Sequence, residues 1–385
     1  MSEWKTIKLK DFVTLKRGYD LPHDKSREGN YPVIASTNIR SYHNEYKVDP
    51  PVVTVGRSGS IGKVQIVNKK AWPLNTTLYV KDSKGNNTNF IYYFLQTMGL
   101  EQFNSGAGVP TLNRNHIGLL KIKIPDIKKQ EKIANVLSTY DKLIENNNRR
   151  IEVLEQAAEE IYKEWFVRMR FPGYENTKFV KGIPEGWEVK KIGDIFNVSS
   201  SKRVYSSDYV ESGIPFYRSK EVIKLSNGEA VSELLHISDN KYEEFKKKFG
   251  VPQRNDILIT SVGTIGIPLL ITDDNPFYFK DGNLTWIQSS SNPVLSYYLY
   301  YWLNSDMGYR SLQMYTIGTS QSALTITNLK RLKLLLPNET VLHKFNDIFR
   351  DLNMKKDYLN QQNQNLIKQR DLLLPRLMNG SIEVK

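Results

Sequence analysis

Two long stretches of this chain have the pattern of helices that cannot stand alone. The first runs from about Lys128 to Arg170 without a single Pro or Gly. Apolar residues recur at Ile133, Leu137, Tyr140, Ile144, Ile151, Leu154, Ala158, Ile161 and Trp165, with Asn147 filling the gap. The steps alternate four and three. That is the narrow seam of a coiled coil; a helix packed on a core shows a broader stripe. The second stretch runs from about Glu339 to Met378. Displaced by 212 positions, the same seam reads Phe345, Phe349, Leu352, Lys356, Leu359, Asn363, Leu366, Arg370, Leu373 and Leu377. Pro375 falls in its last turn and is expected to kink or end it. At 1.5 Å per residue the first helix is about 65 Å long. A lone helix with a narrow seam and charged flanks is not stable in water, so each seam is expected to cover the other. The polar residues on the seams weaken packing but can fix register, or else they face solvent where the seam frays. An aspartate at Leu154 is expected to collapse the pair, because a buried charge there has no partner.

The rest of the chain is also written twice. Residues 106–125, GAGVPTLNRNHIGLLKIKIP, match 318–337, GTSQSALTITNLKRLKLLLP. Both begin at Gly, carry a Leu six residues on (Leu112, Leu324) and end in an alternating strand closed by Pro125 or Pro337. Upstream, the run from Arg57 to Gly62 (RSGSIG) is similar to that from Ser261 to Gly266 (SVGTIG), and Tyr31–Ile34 to Ile214–Tyr217. Both copies open alike, with Trp4, Leu9 and Asp11 against Trp187, Ile192 and Asp194. The offset grows from 183 to 204 to 212, so the second copy carries insertions within a common plan. A helix near 90–104 matches one near 295–314.

These repeats predict an α+β fold. Two mixed α/β domains in pseudo-two-fold repeat are joined by two long antiparallel helices that form a coiled coil. The first domain occupies 1–125, the central helix 126–170, a linker 171–186, the second domain 187–337, the C-terminal helix 338–379 and a tail 380–385. Two-fold pairing of the helices predicts a stiff spacer with a globular head at each end, where a disordered linker would be the simpler way to join two domains.

Charge bears on the partner. The chain carries 54 Lys and Arg against 41 Asp and Glu, a net +13. Residues 1–125 hold a net +9, residues 171–337 only +2, and the central helix is neutral. A basic balance favours a polyanion, most often nucleic acid. The absence of Cys excludes disulfides and thiolate metal sites and suits a reducing cytoplasm. No apolar run approaches the length of a membrane span, and residues 1–5 show no secretory h-region; neither a membrane nor a secretory route is expected.

Catalytic parts are missing. Gly56–Val64 resembles a phosphate loop only loosely: five residues separate Gly56 from Gly62 where four are required, and Val64 stands where Ser or Thr should bind magnesium. A glycine turn between strands is the better reading. Asp49-Pro50-Pro51-Val52 lacks the aromatic that would stack on a flipped base. His23, His43, His116, His236 and His343 are scattered, with no metal-ligand spacing, and are expected at the surface or as caps. The chain reads as a binder without an active site of its own.

At this point a family likeness emerges. Ile124-Pro125 is followed by the Lys129–Leu137 run KQEKIANVL and then by Asp141-Lys142-Leu143-Ile144. This is similar to the strand-Pro and helix start that recur in the specificity subunits of type I restriction–modification enzymes. Gly108–Asn113 and Gly318–Gln321 resemble the turn that precedes that strand. The likeness covers the whole chain, although Asn338–Leu352 lacks the Gln-Glu pair of the first helix start. It implies that each head is a target recognition domain reading one half of a split, asymmetric site in double-stranded DNA, and that the helices set the unread spacer. It further implies two methyltransferase subunits and two restriction (motor-nuclease) subunits as partners. Those subunits would use S-adenosylmethionine, ATP and Mg and methylate adenine N6; no cofactor is expected in this chain.

Base readers are sought among polar and basic residues of the repeated loops. In the first head these are Arg17, Arg57, Ser58, Ser60, Asn113 and Arg114. In the second they are Lys202, Arg203, Arg218, Ser219, Ser261, Thr264, Ser320 and Gln321. Arg suits guanine O6 and N7, and Gln or Asn suits adenine N6 and N7. Each serves equally well as an ordinary surface residue or a phosphate contact, since over half of protein–DNA hydrogen bonds go to the backbone. Gly59, Gly62, Gly263 and Gly266 would permit close approach or satisfy tight turns. The alternative function is a coiled-coil scaffold that joins protein partners without DNA specificity.

Overall fold

The structure, a computed structural model, describes residues 4–106, 108–229, 231, 233–316 and 323–384. It divides into two units. One holds residues 1–147 and 361–385, the other 148–360. Each unit therefore takes a head together with part of both long helices.

In the first unit, strand Lys5–Lys8 pairs antiparallel with Lys121–Ile124. The latter alternates as its sequence demands: Ile122 and Ile124 are buried, and Lys121 and Lys123 are exposed. A four-stranded antiparallel sheet follows in the order Thr14–Arg17, Thr77–Asp82, Val52–Gly56, Val64–Val67. A three-stranded sheet sets Tyr31–Ile34 between Ile39–His43 and the parallel Trp72–Pro73.

The second unit repeats this plan. Glu188–Lys191 pairs with Lys333–Leu336. Asn197–Ser199, Leu284–Gln288, Ile257–Thr260 and Pro268–Leu270 form the four-stranded sheet. Ile214–Tyr217 again lies between an antiparallel strand, Leu235–Ile237, and a parallel one, Tyr278–Phe279. The insertions are two helices, Ser219–Ser226 and Asp239–Phe249, on either side of Leu235–Ile237. The match expected near 90–104 and 295–314 is a pair of shorter segments in each copy. Helix Thr88–Gln96 is cut off before Gly99 (φ +58°), and Pro293–Asn304 is followed by a separate helix, Asp306–Met314.

The central helix spans Ile127–Tyr162 and the C-terminal helix Glu339–Met378. Both begin at a side-chain cap: Lys129 N–H donates to Asp126 Oδ1 at 2.9 Å and Val341 N–H to Asn338 Oδ1 at 3.0 Å. The first start is tied to its head by Gln130, which is buried. Its Oε1 accepts from Asn87 N–H, and its Nε2 donates to Asn86 Oδ1 and to the Pro125 carbonyl. At the corresponding place the second copy buries Leu342 instead. Apolar packing there takes the place of the hydrogen bonds that Gln130 makes.

The helices run antiparallel within each unit. In the first, Asp141 meets Arg370 and Asn147 meets Asn363. In the second, Glu155 meets Lys356 and the Trp165 ring lies 5.8 Å from Phe345. The polar seam positions are thus paired across the helices and not frayed into solvent. Of the apolar seam, Ile133, Leu137, Phe345, Phe349 and Leu359 are buried; Ile144, Ile151, Leu154, Ile161, Leu352, Leu366 and Leu373 are half-buried. Two helix ends differ from expectation. The central helix closes in a wider turn, Lys163–Val167, with Arg168 N–H donating to Lys163 O, and this turn buries Phe166 against Trp187 and Phe345. The C-terminal helix does not end at Pro375 but continues to Met378, because a Pro so near the end removes one bond while Leu377 and Met378 are held by burial in the first core. Among the described residues no helix is long and apolar enough to cross a membrane.

Candidate nucleic-acid interface

The two glycine turns occupy the same place in both heads. Each joins two antiparallel strands, Val52–Gly56 to Val64–Val67 and Ile257–Thr260 to Pro268–Leu270. No helix follows the turn, so it is a hairpin and lacks the strand-to-helix form of a phosphate loop. Gly59 and Gly62 take φ of +78° and +85°, Gly263 and Gly266 +77° and +88°. The second Gly of each pair is also pressed from outside: a Cβ on Gly62 would lie 2.6 Å from the Glu101 nitrogen. The first has open space around it, so close approach of a ligand there is unobstructed.

Each turn is stitched to the segment before the closing strand. Leu112 N–H donates to Arg57 O at 2.8 Å, and Ser58 bridges Thr111. Leu324 N–H donates to Ser261 O at 2.9 Å, and Val262 bridges Ala323. Loops more than fifty residues apart thus meet at one edge of each head.

In the first head this edge gathers several of the expected residues. Arg17 is exposed and donates to Asp20 at 3.2 Å, and Asp20 also accepts from the Asn75 amide. Arg57 is half-buried, with Nη1 donating to Asn75 O at 3.2 Å. Ser58 is half-buried and its carbonyl accepts from Ser36 Oγ at 2.9 Å, while Ser60 is exposed. A cleft of about 390 Å³ opens beside them, lined by Thr37, Arg40, Ser58, Ser60, Asn75 and Thr76. Arg40 and Asn75 escaped the sequence reading because neither lies in a repeated segment. Asn113 turns inward along its own backbone: its side chain caps helix Arg114–Ile117 by accepting from Asn115 N–H at 2.9 Å. Arg114 is exposed.

The second head assigns its residues differently. Lys202 is exposed, with its ammonium 4.8 Å from the Phe249 ring, and Arg203 pairs with Asp281 at 3.0 Å. Thr264 is exposed; Ser219 donates to Asn283 O at 3.4 Å. Ser261 is buried, its hydroxyl 2.6 Å from that of Thr285, so it faces the sheet and not a ligand. Arg218 grips the buried Glu221 carboxylate with two bonds, at 2.8 and 3.1 Å. Burial would raise the Glu221 pKa, but the guanidinium and the Arg218 backbone N–H hold it below its ordinary value. Ser320 and Gln321 lie outside the described residues. Of the histidines, His43 is neither at the surface nor a cap: it is buried beside Trp72 and bonded to the Arg27 backbone. Among the described residues no cluster of His, Asp or Glu could hold a metal ion.

Known proteins share this arrangement. The family model for the type I restriction modification DNA specificity domain matches residues 1–156 and again 184–373. The MjaIX specificity subunit of a type I restriction enzyme of Methanocaldococcus jannaschii is 27% identical, over 100% of this chain and 94% of that one. The MjaVIII specificity subunit of the same organism is 25% identical over the same shares. Among solved structures, the S subunit of a type I restriction-modification system from M. genitalium superimposes with a TM-score of 0.62 at 19% identity, covering 98% of this chain and 96% of its own. With the family model matched twice, once on each copy of the repeat, this chain belongs to the type I restriction–modification DNA specificity family.

Proposed function

We propose that this chain is the DNA-recognition subunit of a type I restriction–modification complex, with each head reading one half of a bipartite, asymmetric site. The observation that carries this reading is the duplicated edge, in which a glycine hairpin is stitched to the segment before the closing strand in both heads. Two copies of one scaffold with different side chains at that edge are suited to two different half-sites. Arg17, Arg57, Ser60 and Arg114 in the first head, and Lys202, Arg203 and Thr264 in the second, remain the candidates for contact with DNA. Arg218 and Ser261 are assigned instead to holding their own head together.

The helix pair sets the unread spacer and docks the methyltransferase subunits. Adenine N6 methylation with S-adenosylmethionine, and restriction with ATP and Mg, belong to two methyltransferase and two motor-nuclease subunits acting in the cytoplasm. This chain itself carries out no reaction. A coiled-coil scaffold without DNA specificity finds no support in the matched relatives.

Exchanging residues 187–337 for the same region of a relative tests the reading. Mapping of methylated sites should then show one half-site changed and the other retained. A change in both halves, or in neither, would overturn modular recognition.

A further inference from the structure

The first head carries a second basic feature, apart from the glycine hairpin. A groove of about 600 Å³ lies between the short helices Leu9–Phe12 and Arg114–Ile117, the edge strand Thr14–Arg17 and its neighbour Thr77–Asp82. Lys10, Lys16, Lys81 and Arg114 line it, and no carboxylate does. Lys10, Lys81 and Arg114 are exposed, and their side chains make no ion pair or hydrogen bond among the described residues. Asp11 and Asp82 adjoin Lys10 and Lys81 in sequence but do not line the groove, and Asp82 accepts from Lys84 N–H. Four cations around one hollow without a counter-charge repel one another, which favours a polyanion in their midst.

The internal repeat supplies an independent comparison. In the first head Lys10 lies over Gly118, where an added Cβ would sit 3.5 Å from the lysine Cβ. In the second head the position of Lys10 is held by Gly193 and that of Gly118 by Lys330, and an added Cβ on Gly193 would sit 2.7 Å from the Lys330 Cβ. Each head therefore places one lysine against one glycine at this junction, but from opposite sides. The positions of Lys16 and Arg114 are taken in the second head by Ser199 and Ile326, both uncharged, and Lys81 sits in a bulge between Val80 and Asp82 that the matching strand pair of the second head lacks. A charge kept at one point while its carrier changes, beside three charges found only in the first head, fits a common phosphate contact extended on one side.

We propose that this groove seats the sugar–phosphate backbone of the bound duplex, and that the first head holds phosphate more strongly than the second. The proposal rests on the DNA-recognition reading. It accounts for three of the seven charges by which residues 1–125, at +9, exceed residues 171–337, at +2. The groove adjoins the reading edge, because Arg114 directly follows the Leu112–Asn113 segment bonded to the glycine hairpin.

The test uses the full chain assembled with its methyltransferase subunits, and duplexes with and without the methylated target, over a salt series. Replacing Lys10, Lys81 and Arg114 together by Ala should weaken binding to both duplexes by a similar factor. It should also flatten the slope of log affinity against log salt by about 2 to 3, since each lost phosphate contact removes about 0.9. K330A should flatten it by about 1, and the methylated sequence should not change. The charge-keeping exchange K10R/K81R/R114K should retain the parent slope, which separates loss of charge from loss of fold. An unchanged slope in the Ala variant, with target preference intact, would sink the groove and leave the recognition reading standing. Altered sequence preference would make these residues base readers and overturn the backbone role. A parent complex with no target preference would instead overturn the recognition reading.

Discussion

Arg370 reaches across the helix pair of the first unit to Asp141, with Nη1 2.7 Å from Oδ1. The other carboxylate oxygen of Asp141 accepts from the Tyr93 hydroxyl, so one acid ties the head's helix Thr88–Gln96 to both long helices. Burial first, and then the bond to Asp141, push the Tyr93 phenol well above its ordinary range, and it stays a neutral donor at every working pH. Asp141→Ala takes the acceptor from the Tyr93 hydroxyl and leaves Arg370 with Asp371 as its partner, and is expected to cost about 2 kcal/mol in urea unfolding, against about 1 kcal/mol for Tyr93→Phe. A double-mutant cycle on Asp141 and Arg370 should return a coupling of about 1 kcal/mol. Simple additivity would mean that the ion pair contributes nothing beyond its separate parts.

Arg218 is expected to matter for the second head's stability and little for base choice. Its removal leaves the buried Glu221 with Lys220, 3.6 Å away, as its one cationic neighbour among the described residues. Arg218→Ala should therefore lower stability by about 3 kcal/mol. The folded pKa of Glu221 is lowered, so the stabilisation by this pair is present above the ordinary carboxylate value of 4.5 and is lost as the pH falls through the folded one. The deficit of the variant should accordingly shrink in acid. If instead stability held and the second half-site changed, Arg218 would be a base reader after all.

Asp357 titrates in the opposite sense. It lies in a polar cavity of the second unit, with Lys356, Thr272 and Asn227 among its neighbours there. Burial raises its pKa above the ordinary 3.8, only partly opposed by Lys356 and Thr272. A raised folded pKa contributes stability below the ordinary value that is lost as the pH rises through the folded one. Asp357→Asn is thus expected to raise the unfolding midpoint at neutral pH, with the gain narrowing as the pH is lowered toward 3.8. A loss of stability at neutral pH would mean that the charge is needed beside Lys356.

What was legible in the sequence was what repeats locally. The four-three spacing needs only neighbouring residues, so the helices and their antiparallel pairing were readable, as were the Pro-closed strands and the glycine hairpins. What depended on distant partners was not. Ser261 sits in a loop motif that looks exposed, yet its neighbour Thr285 arrives on a strand twenty-four residues later and draws it inward. His43 is hidden by Trp72 through a strand pairing of the same kind. At Arg218 the ion-pair partner Glu221, three residues on, was visible, but its burial was not.

Seam position alone also misjudges cost. Leu154 is only half-buried and belongs to none of the hydrophobic clusters of the second unit, and Lys356 reaches the adjacent Glu155 at 3.3 Å. Leu137 is fully buried with Ile133, Phe94 and Leu377 in the first core. Leu154→Asp should therefore cost about 1 to 2 kcal/mol, whereas Leu137→Asp should exceed about 4 kcal/mol and prevent folding of the first unit. Thermal unfolding of the two variants decides this; equal losses would restore Leu154 to the core of the seam.

Asn147 Nδ2 donates to Asn363 Oδ1 at 3.0 Å, and both amides are buried. A buried amide pair on an apolar seam is weaker than leucines but satisfied in only one register. Asn147→Leu alone removes the bond to Asn363 from a buried site and should cost about 1 to 3 kcal/mol. Replacing both by Leu should restore stability or exceed it, while releasing the register. The chain contains no Cys, so introduced thiols report register without interference. Ile144 stands three residues before Asn147 and Leu366 three after Asn363, so Ile144→Cys with Leu366→Cys should oxidise readily in the parent background. Ile144→Cys with Leu373→Cys, one heptad out, should not. In the double-Leu background the out-of-register pair should begin to form, and its absence there would mean that the heads, and not the amides, hold the helices in step.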